Sequence, residues 1–442
     1  MPDNPVNCDA QNQMVFVFCE LHCINLTIVR YYIIMNAQTK AHGGLVLINR
    51  EEYLNQLITF KDKQLIKVVT GIRRCGKSTL FELYKEYLLS AGVDEKQIIS
   101  LNFESAEFYD VSDFKALYHE VENRLLPDKM NYVFLDEVQL VSDFQRACDS
   151  LYILKNVDLY ITGSNAGLLS GELATLLSGR YVEVKMLPLS FREYISAVGE
   201  SDLSRKYRDY LMKSSFPYTL ELDKRKDILA YLDGIYTSIV LKDIVKRKKI
   251  ADVAVLESVI RFMFDNSGNL CSATRIANTL RSGGKGASVH TVDCYLQALC
   301  ESFVLYKVSR YDIKGKQLLQ TQEKYYLADI GLRYYLLGTK PADMGHILEN
   351  VVYLELLRRG YEIYVGKQDN GEVDFIAIND SGTEYYQVAL TVRDEDTLKR
   401  ELTPLDSISD HNPKYLLTLD DDPPVSHNGI RQLNALEWLI KR

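Results

Sequence analysis

A glycine-containing segment near the start of the chain has the residue types of a phosphate-binding loop. Residues 71–78 read Gly-Ile-Arg-Arg-Cys-Gly-Lys-Ser, which fits the pattern G-x-x-x-x-G-K-[ST]. In such a loop the backbone N–H groups hold phosphate oxygens, Lys77 reaches the β- and γ-phosphates, and the Ser78 hydroxyl ligates Mg²⁺. We therefore predict ATP and Mg²⁺ as cofactors. The residues expected to contact the nucleotide are Gly71, Arg73, Arg74, Cys75, Gly76, Lys77, Ser78 and Thr79.

An acidic pair ends a second apolar run. Residues 132–137 read Tyr-Val-Phe-Leu-Asp-Glu. Asp136, at the tip of a predicted strand, can hold Mg²⁺, usually through water. Glu137 can orient and deprotonate the attacking water. We predict Glu137 and Lys77 as catalytic residues, and Asp136 with Ser78 as metal ligands.

Two further segments carry candidate catalytic residues. One follows a predicted strand and the other precedes one. Thr162-Gly163-Ser164-Asn165 comes after the next strand, where Asn165 or Ser164 could position the water or sense hydrolysis. The alternative is a helix N-cap, for which Ser and Asn are preferred. Arg180 stands just before the fifth strand and is the best candidate for an arginine finger, acting in cis or from a neighbour. The alternative for Arg180 is an ordinary surface arginine.

Elements that could position these residues alternate along residues 49–195. Apolar runs predict strands over residues 65–70, 98–103, 132–136, 158–162 and 181–185. Helical periodicity lies between them, for example over residues 113–124 and 143–154. Strands alternating with helices indicate a parallel, doubly wound sheet. We predict an α/β P-loop NTPase domain over residues 48–195.

The pattern changes after residue 190. Residues 191–265 have a helical, charged pattern, and residues 272–327 read as helix, turn, helix and two strands, which is typical of a winged helix. We predict a helical and winged-helix region over residues 196–340. A small mixed α/β domain is predicted over residues 341–442.

Composition limits the class of protein. The 442 residues suggest about three domains, and the net charge of −8 argues against a chain coated with nucleic acid. Eight cysteines without C-x-x-C spacing indicate free thiols rather than zinc ligands, hence a cytoplasmic protein. Charged residues interrupt the apolar stretch 14–35, so we predict no membrane span. Residues 1–47 form an extension that need not be native, with Met35 as an alternative start.

These motifs together resemble the prokaryotic AAA-type ATPases, in the additional-strand, catalytic-glutamate branch of P-loop proteins. The resemblance is carried by G-I-R-R-C-G-K-S-T, F-L-D-E-V-Q, T-G-S-N and L-S-G-R…L-P-L-S-F-R-E-Y. Residues 236–244, 324–333 and 348–356 match that group as well. The resemblance covers residues 48–442. It implies ATP binding and hydrolysis, a winged-helix middle and a nuclease-like C-terminal fold.

The C-terminal unit resembles the PD-(D/E)xK nuclease fold but lacks part of its catalytic set. Glu349 and Asp374 match the first acids, whereas the next strand reads Gln387-Val388-Ala389 where an acid and a lysine are required. An amide and a methyl group cannot supply that charge. We expect an inactive nuclease-like domain.

The partner of the middle region stays open between DNA and protein. Its second helix, residues 288–301, carries no lysine or arginine to neutralise phosphates. Four nearby basic residues could still contact DNA: Arg281, Lys285, Lys314 and Lys316. An oligomer is also possible on sequence grounds. Beside an ATPase that drives the C-terminal module, the alternatives are a nucleotide-gated DNA- or protein-binding switch with little turnover, and an ATP-regulated nuclease.

Overall fold

A computed structural model describes residues 48–169, 179–250, 252–284, 286–339, 343–368 and 371–441. The predicted N-terminal extension, residues 1–47, and Lys285 lie outside this part of the chain. Among the described residues, no helix is long and apolar enough to span a bilayer.

Five parallel strands form the first sheet. They are β1 Ile66–Thr70, β2 Ile98–Asn102, β3 Asn131–Asp136, β4 Val157–Gly163 and β5 Tyr181–Lys185. Their spatial order is β2-β3-β4-β1-β5, and every neighbouring pair is parallel. The predicted parallel sheet is confirmed. Strand β4 lies between β1 and β3, which is the additional strand that the resemblance implies.

Helices cover both faces of this sheet. They are α1 Glu51–Thr59, α2 Lys77–Ser90, α3 Phe114–Glu122, α4 Phe144–Ile153 and α5 Phe191–Val198. Successive strand residues point to opposite faces, so Val69 joins a core with α2, whereas Val68 joins a second core with α3 and α4. The sheet is therefore doubly wound, and the fold is α/β.

A helical region follows the first sheet. Its elements are α6 Leu203–Lys213, α7 Arg225–Ser238, a π-helix Ile239–Lys246, α8 Val253–Asp265, β6 Leu270–Cys271, α9 Ala273–Ser282 and α10 Val289–Glu301. The hairpin β7 Leu305–Asp312 and β8 Gln317–Leu327 comes next, and α11 Ile330–Leu337 follows it. The predicted order of helix, turn, helix and hairpin is present, and whether it acts as a winged helix stays a prediction.

The C-terminal strands extend that hairpin into one large sheet. The remaining elements are α12 Met344–Arg358, β9 Glu362–Gln368, β10 Gly371–Asn379, β11 Gly382–Val388, α13 Glu395–Asp406, β12 Lys414–Thr418, β13 Val425–His427, β14 Ile430–Asn434 and α14 Ala435–Ile440. The nine strands have the order β13-β14-β12-β11-β10-β9-β7-β8-β6, with β7 parallel to β9. The two regions after the first sheet therefore share a single sheet, and we call them together the second module.

Buried polar contacts join the helices of the second module. The Asp329 carboxylate accepts hydrogen bonds from the Ser215 N–H and hydroxyl at 2.7 and 2.6 Å. Its other oxygen caps α11 through the Leu332 N–H at 2.7 Å. A Cβ on Gly331 would lie 2.3 Å from the Cβ of Ser214, so this position has no room for a side chain. The segment Asp-Ile-Gly-Leu thus packs against the connecting segment 214–217, which leads into the short 3-10 helix Pro217–Glu221.

Candidate active site

The glycine-lysine loop connects the end of β1 to the start of α2. Gly71 has φ +151°, and a Cβ there would lie 2.1 Å from the Met186 carbonyl oxygen. Gly76, with φ +105°, is the residue immediately before α2. Both conformations favour glycine. Because α2 begins at Lys77, its free N–H groups point into the loop, where an anion is stabilised.

The predicted metal pair lies beside the loop lysine. The Ser78 hydroxyl is hydrogen-bonded to Asp136, which also accepts a hydrogen bond from the Thr162 hydroxyl. Burial raises the pKa of Asp136, and the hydrogen bonds from Ser78 and Thr162 lower it. A hydroxyl and a carboxylate in contact form an oxygen donor set that fits Mg²⁺. Ser78 and Asp136 are therefore in contact, and their role as metal ligands stays a prediction.

Lys77 and Glu137 face each other across the loop. The Lys77 Nζ donates to the Gly71 carbonyl at 3.1 Å and lies 3.6 Å from Glu137 Oε1. Both side chains are buried. A cation suited to phosphate and a carboxylate suited to water activation thus border the same space.

Glu137 is held by the ends of two strands. Its backbone adopts φ +53°, a conformation that costs energy for a non-glycine residue and recurs at functional sites. Its carboxylate accepts hydrogen bonds from the Gln139 amide and, at 3.2 Å, from the Ser164 hydroxyl. Of the two predicted sensor residues, Ser164 contacts Glu137 directly. Asn165 is buried beside it, and its sensor role stays a prediction.

Arg180 lies away from the loop. Its carbonyl accepts a hydrogen bond from the Ile66 N–H at 2.8 Å, which places it at the start of β1, whereas the loop follows the end of β1. Its guanidinium pairs with Asp149 and lies over the Tyr152 ring. Arg180 is therefore not a finger for its own chain's loop. A finger contributed to a neighbouring copy stays a prediction.

A cavity of about 750 Å³ opens above the loop. One wall carries predicted nucleotide contacts, namely Arg73, Arg74, Gly76, Lys77, Ser78 and Thr79, together with Glu137. The opposite wall belongs to the second module and includes Pro217, Tyr218, Tyr231, Gly234 and Ile235. Neither Gly71 nor Cys75 lines the cavity: Gly71 packs on Met186, and Cys75 is fully buried. The cavity volume is in the range of small-molecule sites.

The second-module wall combines aromatic surface with free space. The Tyr218 and Tyr231 rings have centroids 5.1 Å apart, and Tyr218 is exposed. Gly234 lies inside α7, where a Cβ would meet nothing within 4 Å. Glycine inside a helix costs about 1 kcal/mol relative to alanine, and no packing contact requires it here. No sequence motif marks this wall, because α7 reaches the loop only through tertiary packing.

Arg50 is a further site residue that the motifs did not indicate. Its guanidinium donates to the Cys75 carbonyl at 3.1 Å and pairs with Glu193 at 2.9 Å. It lines the cavity and is buried. Glu193 also forms a capping box with Ser190 at the start of α5. Glu193, in the segment L-P-L-S-F-R-E-Y, thus holds Arg50 against the loop. No sequence motif indicates this role, because Arg50 and Glu193 are far apart in the chain.

Arg73 connects the loop to the second module. Its Nε and Nη2 lie 3.1 and 3.2 Å from the two carboxylate oxygens of Asp243, in the π-helix. Its Nη1 lies 2.8 Å from Glu104 Oε1. Arg74, with φ +69°, is exposed at the cavity. Of the two loop arginines, Arg73 is therefore the one that forms an ion pair with the second module.

The two acids predicted for a nuclease site, together with the neighbouring Glu372, surround a lysine. Lys324 Nζ lies 3.0 Å from Glu349 Oε1, 2.6 Å from Glu372 Oε1 and 3.8 Å from Asp374 Oδ1. Burial and the neighbouring Glu349 raise the pKa of Asp374 well above its usual value. Within the described ranges, no group of three or more His, Cys, Asp or Glu side chains is arranged to hold a metal ion.

The strand after Asp374 carries no replacement for the missing charges. The Gln387 side-chain oxygen accepts from the Asp374 N–H at 3.3 Å, and its amide donates to Glu401 at 2.9 Å. Ala389 is buried in an apolar cluster. The arrangement agrees with the expectation of a nuclease-like unit without nuclease chemistry, which stays a prediction.

The sheet order, the loop and the acidic pair define the N-terminal part as a P-loop domain of the AAA type. The AAA domain family matches residues 63–195, and a family described as a domain of unknown function (DUF8612) matches residues 204–343. An uncharacterized protein of Haemophilus influenzae is 42% identical over 401 residues, covering 89% of this chain and 99% of that protein. The chain belongs to the same family as that protein.

More distant similarities extend to archaea. Uncharacterized protein MJ1544 of Methanocaldococcus jannaschii is 27% identical, covering 72% of this chain and 73% of that protein. Among solved structures, a Walker-type ATPase of Pyrococcus abyssi has a TM-score of 0.46 at 16% identity, covering 66% of this chain and 96% of that one. The Aeropyrum pernix ORC1 protein in complex with DNA has a TM-score of 0.31 at 15% identity, covering 66% and 93%.

Proposed function

We propose that this protein binds Mg²⁺-ATP between the loop and the second module and hydrolyses it. The observation that carries the proposal is the meeting of Lys77 with Glu137 at 3.6 Å, beside the contact of Ser78 with Asp136. Phosphate binding alone requires only the loop. A buried carboxylate held beside the loop lysine adds what hydrolysis requires.

The residues have separate roles in this proposal. Loop N–H groups and Lys77 hold the β- and γ-phosphates; Ser78 and Asp136 would hold Mg²⁺, which would supply positive charge to the phosphates. Glu137 takes a proton from the attacking water while Ser164 and Gln139 fix its carboxylate. The water oxygen bonds to the γ-phosphorus, the bond to the β–γ bridging oxygen breaks, and ADP and phosphate leave.

In this proposal, the base of the nucleotide packs against the cavity wall formed by the second module. Tyr218 and Tyr231 supply an aromatic surface, and Gly234 leaves room beside it. Stacking of a base on an aromatic side chain contributes about 1–3 kcal/mol. The nucleotide would then contact both modules at once, which is how its state could drive or gate the second module.

Comparing ATP with inorganic tripolyphosphate tests this placement, because both carry three phosphates and only ATP carries a base. Lys77→Ala is expected to lose both ligands, whereas Gly234→Leu, which fills the open space, is expected to weaken ATP alone by about tenfold or more. Gly345→Leu, at another open helical glycine, is the control. Steady-state phosphate release with Mg²⁺ measures turnover. Equal ATP binding by wild type and Lys77→Ala would contradict the proposal.

A nucleotide-gated switch with little turnover is the second candidate. It is favoured by the positions of three arginines: Arg180 lies at the far edge of the sheet, and Arg50 and Arg73 are engaged with carboxylates. A phosphate-release assay with and without DNA separates the two functions. DNA is included because Lys314 and Lys316 lie at the β7–β8 turn; a protein partner is the other possibility. Stimulation of phosphate release by DNA would favour an ATPase that drives the second module over a switch with little turnover.

A further inference from the structure

The ion pair between Arg73 and Asp243 directly links the loop to the π-helix. The guanidinium bonds both carboxylate oxygens of Asp243 at 3.1 and 3.2 Å, which is the strong two-point geometry of arginine with a carboxylate. Glu104 takes a third N–H at 2.8 Å. The side chains of Arg73 and Asp243 are 11% and 9% exposed, so the pair is shielded from water.

Asp243 lies on an unusual piece of backbone. The π-helix Ile239–Lys246 directly continues α7, whose residues line the cavity. π-helical turns are rare and recur at functional sites. Burial raises the pKa of Asp243, and the hydrogen bond and charge of Arg73 lower it. Without Arg73, the carboxylate would be left buried and unpaired, which is costly. The pair therefore stabilises this helical conformation.

Arg73 also faces the cavity where the phosphates would lie. It lines that cavity together with Lys77 and Ser78. A triphosphate brings about four negative charges close to Asp243 and Glu104, and carboxylates near phosphate repel it. The guanidinium carries a single positive charge, and three of its N–H donors already bond Asp243 and Glu104. Phosphate oxygens and the Asp243 carboxylate thus compete for the same cation.

We propose that Asp243 opposes nucleotide binding, and that bound triphosphate draws Arg73 away from it and releases the π-helix Ile239–Lys246. This inference rests on the proposed nucleotide site and adds its regulation. In this proposal, Arg73 pairs with Asp243 as long as no triphosphate occupies the loop. Binding at the loop is then coupled to the conformation of the second module.

Contacts beyond the π-helix point to the element that would receive the change. The helix ends in a basic run, and Arg247 Nη2 and Lys248 Nζ lie 3.3 and 2.7 Å from Glu301 Oε2. Glu301 is the last residue of α10, the second helix of the helix-turn-helix segment. Release of the π-helix would therefore loosen the end of α10. Two global states biased by one ligand are what coupling between sites requires.

Because coupling between two sites is reciprocal, the proposal can be tested by measuring nucleotide affinity in a variant of Asp243. If Asp243 competes with phosphate for Arg73, removing its charge must strengthen nucleotide binding. Asp243→Asn is expected to bind a non-hydrolysable ATP analogue about fivefold tighter or more, measured by titration calorimetry with Mg²⁺. Asp252→Asn removes an equal charge from the same module at the exposed cap of α8 and is expected to bind like wild type. If Asp243 merely positions Arg73, Asp243→Asn binds more weakly and the proposal is overturned.

Hydrogen exchange on the wild-type chain provides a readout that needs no variant. Amides of residues 239–249 are expected to exchange faster with the analogue bound, and Asp243→Asn is expected to show that faster exchange without ligand. Slower or unchanged exchange in the wild type overturns the proposal, even if Asp243→Asn does not fold. Failure of the nucleotide site itself looks different, because wild type would then bind the analogue no better than Lys77→Ala.

Discussion

Lys77 Nζ lies 3.6 Å from Glu137 Oε1, although β1 and β3 are separated in the sheet by β4. Parallel strands bring the residues that follow them to one edge of a sheet, so the loop lysine and the acidic pair meet there. The lysine suits ground-state phosphate binding, whereas the carboxylate acts on water. Substitutions at the two positions should therefore have different effects.

Glu137→Gln should retain nucleotide affinity and lose turnover. The amide keeps the shape of the side chain and can remain near Ser164, but it cannot accept a proton from water. Removal of a general base lowers the rate by about 10²–10⁴-fold. Phosphate release measures the rate, and calorimetry with Mg²⁺-ATP measures the affinity. Equal turnover of wild type and Glu137→Gln would refute the assignment of the base.

Ser164→Ala should lower turnover more than Asn165→Ala. Ser164 donates to the Glu137 carboxylate at 3.2 Å, so its removal frees that carboxylate to rotate. The expected loss is about tenfold or less, since Gln139 still holds the same oxygen. ATP affinity should not change for either variant. A larger loss from Asn165→Ala would instead assign the sensor role to Asn165.

The sequence was sufficient for the first sheet because its signals are local. Each strand is a short buried run, and the loop and the acidic pair directly follow strand ends. The second wall of the cavity could not be predicted, because Tyr231 and Gly234 reach it only through packing of α7. The position of Lys324 among the acids could not be predicted either, because it depends on the packing of β8 against α12, which brings Lys324 to Glu349.

The topology of the first sheet explains why Arg180 lies away from the loop of its own chain. A residue that precedes a parallel strand lies at the edge opposite the residues that follow its neighbours. Arg180 precedes β5, so it lies beside Ile66 at the start of β1, on the far side from the loop. Strand direction therefore excludes a contact between Arg180 and the loop of its own chain.

Gly331→Ala should destabilise the second module, whereas Gly345→Ala should not. A Cβ at Gly331 would lie 2.3 Å from the Cβ of Ser214, and overpacking of this kind costs about 1–3 kcal/mol. A Cβ at Gly345, in α12, would meet nothing within 4 Å, and alanine favours a helix. Thermal unfolding should give a lower midpoint for Gly331→Ala only. Equal midpoints would show that the Ser214 backbone can move aside.

Mg²⁺-dependent cleavage of DNA should be absent from the purified protein. The Lys324 ammonium lies where a metal ion would have to sit among Glu349, Glu372 and Asp374. Incubation of linear and circular DNA with Mg²⁺ or Mn²⁺, followed by electrophoresis, checks this. Robust cleavage that is lost in Asp374→Ala would contradict it and restore the ATP-regulated nuclease as a function.

Lys324→Met should unfold at a markedly lower temperature than wild type. The lysine side chain is 6% exposed and contacts three carboxylates, so its loss removes the one cation that these three acids share. Breaking a buried pair in this way costs about 3–5 kcal/mol. Lys307→Met is the matched control, because Lys307 is 52% exposed and its contact with Glu323 at 3.0 Å is a surface pair, worth about 1 kcal/mol or less. Thermal unfolding of the two variants measures the difference. A similar small shift for both would mean that protonation of Asp374 relieves the cluster once the lysine is gone.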